Sequence, residues 1–230
     1  EEGQFNNTAV SRQNERYQLR VALKLHDFQM DLYNPKLAAL DGNRQLIKGD
    51  DVPMPMIEED MKVSMMGWDI EIDTFMSLAA PDSTGYRPAE NMMGAAPTAR
   101  IKARKQGTDK IKTGWISSGS FMMRPSLLQL EKNFSLALTN PETKKYASKV
   151  EYVTKDGRRD TVMIEVNKPF KINGWKIYQS SYDSSRGRWS KVSVLELVRD
   201  PWLPVVYVGI FMMIAGALYI FWIGRGESKK

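Results

Sequence analysis

The sequence contains no cysteine and one histidine, His26, among its 230 residues. The lack of thiols excludes a disulfide framework, a thiolate metal site and thiol–disulfide exchange. A Ser–His–Asp system would have to use His26, and no nucleophile-elbow sequence accompanies it. The acidic run IEED at 57–60 is interpreted as a solvated loop, and no glycine-rich phosphate loop precedes a helix. We therefore predict no catalytic residue and no metal site.

Positive charge predominates, with a net charge of +6, but it is not concentrated. Runs such as RIKARKQGTDKIK (100–112) space their basic residues as a solvated strand face does. A nucleic-acid surface would combine basic and aromatic groups on one face, so no nucleic acid partner is predicted. Contact with anionic lipid headgroups, which a membrane-tethered domain meets, is the other interpretation left open.

One apolar run, LPVVYVGIFMMIAGALYIFWI at residues 203–223, contains no charged residue. A helix of about 20 apolar residues can cross a hydrocarbon core ~30 Å thick. We therefore predict a single C-terminal transmembrane helix, with the lipid bilayer as a partner. Gly209 and Gly216 lie on one face of this helix at heptad spacing, which favours close packing on another helix.

The tail at 224–230 is basic, with Arg225, Lys229 and Lys230 against a single glutamate. Positive residues in a short flank stay on the cytoplasmic side, so we expect a cytoplasmic C-terminus in the inner (cytoplasmic) membrane. The bulk of the chain is then extracytoplasmic, and periplasmic in a Gram-negative bacterium. Because the sequence starts with glutamate rather than methionine, we expect something upstream: a signal peptide, a membrane segment or a disordered start.

Most of the chain before residue 200 alternates apolar and polar residues with the period of a β-strand. In the first such run the apolar positions change from odd to even numbers, which predicts a bulge near His26-Asp27. Strands are predicted at 16–25, 61–66, 68–76, 98–104, 110–116, 133–139, 148–154, 161–166, 174–181 and 190–198. The predicted fold is mainly β, a sandwich-like or barrel-like domain followed by one transmembrane α-helix.

The chain divides by composition into five segments. These are a polar N-terminal segment (1–15), a first β region (16–127) with a long loop at 79–97, a second β region (128–200), the helix (203–223) and the cytoplasmic tail (224–230). LKLHDFQMDLYNP (23–35) is similar to LQLEKNFSLALTNP (128–141). The similarity leaves open two related β units or a coincidence of strand patterns.

The segment NKPFKINGWKIYQSSYD (167–183) is predicted to be one arm of a β-hairpin that turns at Asn173-Gly174. By alternation, Trp175, Ile177 and Gln179 point to one face of the strand. The Gln-Ser-Ser-Tyr end offers many hydrogen-bonding groups, which we place near the membrane. It indicates a structural strand or a docking edge rather than an active site.

Residues 167–204 resemble the ResB-like proteins of cytochrome c biogenesis, the system II or Ccs haem-attachment machinery. The residues that carry the resemblance are Asn167, Pro169, Gly174, Trp175, Tyr178, Gln179, Ser181, Tyr182, Arg199, Asp200 and Pro201, followed by the last membrane helix. Upstream, residues 134–148 resemble the family's preceding strand and its Y-x-S segment, so the likeness covers residues 128–223.

The resemblance implies a membrane-anchored subunit that acts with a CcsA-like integral membrane protein in haem delivery and attachment to apocytochrome c. It implies a scaffold, not an enzyme by itself, within a haem lyase complex. The membrane histidine that the family is thought to use is absent from 204–223, so no haem ligand is carried over. His26 is the one candidate cofactor ligand, and no cofactor is assigned. The alternative function is an accessory or assembly subunit of another membrane complex, with no haem role.

Overall fold

The computed structural model describes residues 2–224 and is built mainly from antiparallel strands. The elements are β1 (Phe5–Val10), β2 (Arg16–Leu32), β3 (Leu37–Leu40), β4 (Lys62–Met65), β5 (Trp68–Asp82), β6 (Gly85–Pro88), β7 (Ala96–Lys105), β8 (Ile111–Ser117), β9 (Leu128–Glu131), β10 (Phe134–Leu138), β11 (Thr143–Thr154), β12 (Arg159–Glu165), β13 (Phe170–Ile172), β14 (Trp175–Tyr182), a 3₁₀ turn at Gly187–Trp189, β15 (Ser193–Val198) and α1 (Leu203–Gly224). The predicted fold class, mainly β with one C-terminal helix, is confirmed.

The strands form sheets that pack as two β-sandwiches. In the first, the sheet β1-β2-β11-β12 faces the sheet β13-β14-β15. We call it the anchor sandwich (residues 5–32 and 143–198), because α1 follows its last strand. In the second, β3-β10-β9 faces β4-β5-β7-β8, with β6 paired to β5. We call this one the distal sandwich (residues 37–138).

Each sandwich has its own apolar core, made by the inward positions of alternating strands. Trp68, Ile101 and Leu136 are fully buried in the distal sandwich. Ile164 and Ile177 are fully buried in the anchor sandwich. Burying one such side chain contributes roughly 1.5–3 kcal/mol, so both sandwiches are stabilised from within.

The distal sandwich is inserted between two neighbouring strands of the anchor sandwich. β2 and β11 pair from Leu32↔Thr143 to Val21↔Thr154, although the whole distal sandwich separates them in sequence. The two sandwiches therefore do not correspond to the two β regions, 16–127 and 128–200, expected from the sequence. Alternation of apolar and polar residues identifies a strand but not the strand it pairs with. The two connections between the sandwiches, residues 33–36 and 139–142, run side by side.

The phase slip in β2 is a β-bulge, as predicted. Lys149 pairs with Asp27 while the next residue, Val150, pairs with Leu25, which leaves His26 as the extra residue. The buried positions of β2 change from odd to even numbers at this point. The bulge thereby turns His26 to the outer face of the sheet.

Two segments expected to be irregular are strands instead. Residues 5–10 of the polar N-terminal segment pair with β2; their polar composition suits an exposed edge strand and hides the alternation. Within the expected loop at 79–97, residues 79–82 and 85–88 form a hairpin. Small residues are typical of loops, but Ala79 and Ala80 are buried here and allow close packing. Residues 83–84 and 89–95 of that stretch lie outside strands.

The direction of β15 fixes which end of the anchor sandwich faces α1. Ser193 pairs with Tyr182 at one end of the hairpin, and Val198 pairs with Lys176 at the other. Four residues, 199–202, join Val198 to α1 and span at most roughly 14 Å. Trp175 is therefore at the helix end and Tyr182 at the remote end. Placing the Gln-Ser-Ser-Tyr segment near the membrane was wrong, because the antiparallel return of β15 puts the helix at the opposite end.

Helix α1 is exposed along its length, and residues 203–223 have a mean hydropathy of 2.2. It is a candidate membrane span, as the sequence predicted. No side chain lies within 4 Å of a Cβ built on Gly209 or Gly216, so the face they share is open in the described chain. The basic residues of the tail, 225–230, lie outside the described residues, and the orientation of the helix stays a prediction.

Candidate functional site

The β13–β14 hairpin begins the group of signature residues at the helix end. Asn173 and Gly174 have φ values of 50° and 78°, the pair of left-handed conformations that a tight type I′ turn requires. The Asn-Gly turn predicted from sequence is thus confirmed. Trp175 follows, and the Arg199 guanidinium lies 5.9 Å from the centre of its ring. This contact ties the hairpin to the start of the linker that leads into α1.

Gln179 connects the two sheets of the anchor sandwich. Its side-chain carbonyl oxygen accepts hydrogen bonds from Ser148 Oγ at 2.5 Å and from Ser193 Oγ at 3.0 Å. Its Nε2 donates to the backbone oxygen of Ser181 at 3.0 Å. Gln179 is 4% exposed and Ser148 is fully buried, and their polar side-chain atoms all have hydrogen-bond partners. The Y-x-S segment and the Gln-Ser-Ser-Tyr segment, which are far apart in sequence, meet here.

Aromatic rings continue the contact towards the remote end. Tyr182 lies 5.3 Å from Phe28 and 5.0 Å from Tyr146, measured between ring centres. The Tyr146 hydroxyl donates to the backbone oxygen of Ser180 at 3.1 Å. Aromatic contacts of this kind add about 0.5–1.5 kcal/mol each beyond the area they bury. The remote end of β14 is therefore fixed firmly against β2 and β11.

The other signature residues lie at turns and at the linker. Asn167 adopts a positive φ of 67° in the turn that precedes Pro169 and β13. Asp200 Oδ1 accepts a hydrogen bond from the Trp202 backbone N–H at 3.0 Å, just before α1 begins. Pro201 lies in the same linker. The signature residues are thus spread over the length of the anchor sandwich, and the contacts described here are structural.

His26 lies in an ion cluster on the outer face of the anchor sandwich. Its Nε2 is 2.7 Å from a carboxylate oxygen of Glu151. An ionised carboxylate can only accept a hydrogen bond, so the imidazole N–H is the donor. Lys24 Nζ is 3.4 Å from the same carboxylate, and Arg159 Nε also contacts it. The hydrogen bonds from Arg159 and then His26 lower the pKa of Glu151 to about 2. The sequence did not predict these partners, because only the strand register brings them together.

No group of three or more histidine, aspartate or glutamate residues placed to hold a metal ion occurs within residues 2–224. The Nε2 atom of His26 is hydrogen-bonded to the Glu151 carboxylate. His26 therefore donates a hydrogen bond to Glu151 in the described chain, and its role as a cofactor ligand stays a prediction without structural support.

A cleft of about 480 Å³ lies between the two sandwiches. Its distal wall is formed by residues 95–97 and 118–121, and its anchor wall by Tyr182 and residues 184–189. Arg186 and Arg188 are the charged residues among the described lining residues, with no carboxylate. A concave and mainly apolar space with a few polar groups is the usual form of a ligand or partner site. Arg186 is paired with Asp183, whereas Arg188 has no ion-pair partner within residues 2–224, and its guanidinium favours a partner that carries negative charge.

Exposed methionines lie next in sequence to the segments that form the distal wall of the cleft. Met92, Met93, Phe121 and Met122 are all exposed, on two loops that contact each other. Ser120 Oγ donates to the backbone oxygen of Gly94 at 2.5 Å and joins the two loops. Exposed methionine adapts to many apolar shapes and is common at binding surfaces. Met92-Met93 and Met122-Met123 are pairs in the sequence, but the sequence does not show which of these side chains are exposed.

Residues 90–192 match the model of the ResB-like family, whose known role is in cytochrome c biogenesis. No curated protein matches the chain. The matched stretch contains both segments joined by Gln179 and most of the residues that line the cleft. It starts well before residue 128, where the resemblance was placed, and it does not include the linker or α1. Residues 90–192 are therefore similar to the ResB-like family, and the resemblance drawn from the C-terminal motifs is confirmed.

Proposed function

We propose that this protein is a membrane-anchored scaffold of the cytochrome c maturation machinery, acting with a CcsA-like membrane protein in haem delivery and attachment to apocytochrome c. A cytochrome c biogenesis-type subunit is supported by the family match over residues 90–192. That match carries the proposal, because it includes both walls of the cleft between the sandwiches.

The scaffold role follows from how the cleft is held. β14 has eight residues, so about 26 Å of extended strand separates the linker to α1 from the remote end of the anchor sandwich. Gln179 and the aromatic contacts of Tyr182 make that spacer rigid. The cleft is thereby presented at a set distance from the helix. A partner bound there is positioned and need not be chemically changed by this chain.

The proposal includes a topology. The anchor and distal sandwiches lie on the extracytoplasmic side, periplasmic in a Gram-negative cell, and α1 crosses the inner membrane towards a cytoplasmic C-terminus. Gly209 and Gly216 form the face of α1 that packs against the CcsA-like partner. The apocytochrome, or the extracytoplasmic part of the partner, occupies the cleft.

The test is purification of the tagged protein from native membranes in a mild detergent. We expect a CcsA-like polypeptide to co-purify by mass spectrometry, and haem to co-purify by its absorption spectrum. A folded complex that contains neither would overturn the proposal and would favour an accessory subunit of another complex.

A variant pair tests the cleft within the same proposal. Arg186→Ala combined with Arg188→Ala removes the charges that line the cleft, and Lys48→Ala combined with Lys132→Ala removes two exposed charges elsewhere on the distal sandwich. In cells that lack the native gene, the first variant should lower covalent haem in c-type cytochromes, measured by haem staining, at equal levels of the protein. Equal staining for both variants would contradict a role for the cleft.

A further inference from the structure

The helix end of the anchor sandwich carries basic side chains that have no ion-pair partner within the described chain. They lie in the β1–β2 turn, in the β11–β12 turn, beside the Asn173-Gly174 turn and in the linker to α1. The residues are Arg12, Arg16, Lys155, Arg158, Lys171, Lys176 and Arg199, and none forms a salt bridge with a carboxylate of residues 2–224.

The opposite end of the same sandwich is different. Lys145 lies 3.0 Å from Glu165, Lys168 lies 3.2 Å from the same carboxylate, and Arg186 lies 3.7 Å from Asp183. Three cations at the remote end are therefore paired with neighbouring carboxylates, although Lys144 and Arg188 there are not, whereas none of the seven cations named at the helix end is paired within the described chain. The two ends of the same sandwich thus differ in how many of their basic residues are ion-paired, and the overall composition of the chain does not explain that difference.

One pair at the helix end is unfavourable in isolation. Lys171 and Lys176 are directly opposite each other on β13 and β14, so their side chains emerge on the same face. Like charges at directly opposed positions of an antiparallel pair destabilise the sheet. An anionic surface placed against this end relieves that repulsion.

Strand register brings these turns to one end. Arg16 pairs with Val10, where β1 turns into β2, and Thr154 pairs with Val21, where β11 ends. Val21 and Trp175 belong to the same apolar cluster, which aligns the ends of the two facing sheets. The linker to α1 leaves from this level and spans at most roughly 14 Å. The cations therefore lie close to the boundary of the bilayer that α1 is proposed to cross.

We propose that the helix end of the anchor sandwich docks on anionic lipid headgroups of that bilayer. The inference rests on the proposed membrane anchoring by α1. Three carboxylates lie among the seven cations: Glu15, Asp156 and Asp200. Glu15 accepts a hydrogen bond from Tyr17, and Asp200 accepts one from the Trp202 backbone. Docking fixes the orientation of the anchor sandwich on the membrane, and with it the direction in which the cleft opens.

Hydrogen–deuterium exchange on the full chain in lipid nanodiscs tests this docking. One set of nanodiscs contains phosphatidylcholine alone, and the other also contains phosphatidylglycerol as the anionic lipid. We expect slower exchange of residues 11–15, 155–158 and 171–176 in the anionic nanodiscs. About 1 M salt should remove the difference, because the Debye length falls to about 3 Å.

Two variants connect the protection to the cations. Combining Lys155→Gln with Arg158→Gln should reduce the lipid-dependent protection by up to about 25-fold, at about fivefold for each cation near the surface. Combining Lys48→Gln with Lys132→Gln, which removes the same charge from exposed positions on the distal sandwich, should leave it unchanged. Exchange in β2 and β14 reports whether the anchor sandwich is folded in the first variant, and exchange in β5 and β7 reports whether the distal sandwich is folded in the control.

The outcomes separate this inference from the proposed function. Equal exchange in the two lipid compositions, or loss of protection in the control variant as well, would overturn the docking and leave the proposed function standing. Failure of the full chain to enter nanodiscs at all would overturn both the anchoring and the docking. Binding of the CcsA-like partner and haem is measured separately, so its loss with lipid docking intact would count only against the proposed function.

Discussion

Replacement of Gln179 by alanine should destabilise the anchor sandwich while the distal sandwich stays folded. The change removes two hydrogen bonds accepted by the side-chain oxygen and one donated by its nitrogen. A buried hydrogen bond contributes about 0.5–1.5 kcal/mol net, and a buried group left without a partner costs about 1–3 kcal/mol. Ser148 and Ser193 keep each other as partners at 2.7 Å, which limits the second cost. We expect a loss of about 2–4 kcal/mol in the free energy of unfolding.

The assay is urea unfolding of the detergent-solubilised chain, with hydrogen exchange to resolve the two sandwiches. Exchange should accelerate in β14 and β15 and remain unchanged in β5 and β7, because the two sandwiches have separate cores. Gln129→Ala is the matched control, since Gln129 is an exposed residue on β9 and should change stability by less than about 0.5 kcal/mol.

A double-mutant cycle decides whether the network is the cause. Gln179→Ala, Ser148→Ala and their combination should show a coupling free energy of about 0.5–3 kcal/mol, as expected for residues that share a hydrogen bond. Strict additivity of the two single changes would refute the view that Gln179 joins the sheets. So would a Gln179→Ala protein as stable as the Gln129→Ala control.

Three further changes test other parts of the structure. Folding lowers the pKa of Glu151 from 4.5 to about 2, so the ionised carboxylate stabilises the fold above about pH 4.5 and this stabilisation is lost as the pH falls towards 2. The urea concentration at the midpoint of unfolding should fall over the same pH range, and Glu151→Gln should make that midpoint less dependent on pH. Trp68→Ala should cost about 3–5 kcal/mol in the distal core, measured by thermal unfolding, whereas exposed Trp202→Ala should change it little. Gly174→Ala should cost about 1–2 kcal/mol because Gly174 has a φ of 78°, and an equally stable variant by urea unfolding would contradict that conformation.

Local patterns in the sequence predicted local structure well. The phase slip in β2 placed the bulge at His26, and alternation placed Ile177 and Gln179 on the inward face of β14, where both are buried. Pairing between distant strands was not predictable, since period-two alternation is the same whichever strand is the partner. The edge strand β1 and the 79–88 hairpin were missed because polar and small residues conceal alternation when one face is solvated or tightly packed.

In the candidate site, too, the sequence predicted local features but not the contacts between distant strands. Motif likeness identified Gln179 and Tyr182, but their partners Ser148 and Phe28 lie on strands that the sequence could not pair with β14. The cleft could not be predicted for a stronger reason. Its walls come from five separated segments, 30–32, 95–97, 118–125, 140–143 and 182–189, which meet because one sandwich is inserted into the other. A motif is contiguous and can be recognised, whereas this cleft depends on long-range topology.

The insertion has a mechanical consequence for the proposed scaffold. The sandwiches are joined by residues 33–36 and 139–142, which bond to each other through Tyr33 N–H to Glu142 O and Thr139 N–H to Lys36 O, each at 2.9 Å. A partner that fills the cleft contacts both sandwiches and so binds best in one of their relative arrangements. Because β2 and β11 continue from this junction along the anchor sandwich, that arrangement is set relative to the helix end as well. Partner binding at the cleft and lipid contact at the helix end therefore act on the two ends of the same pair of strands.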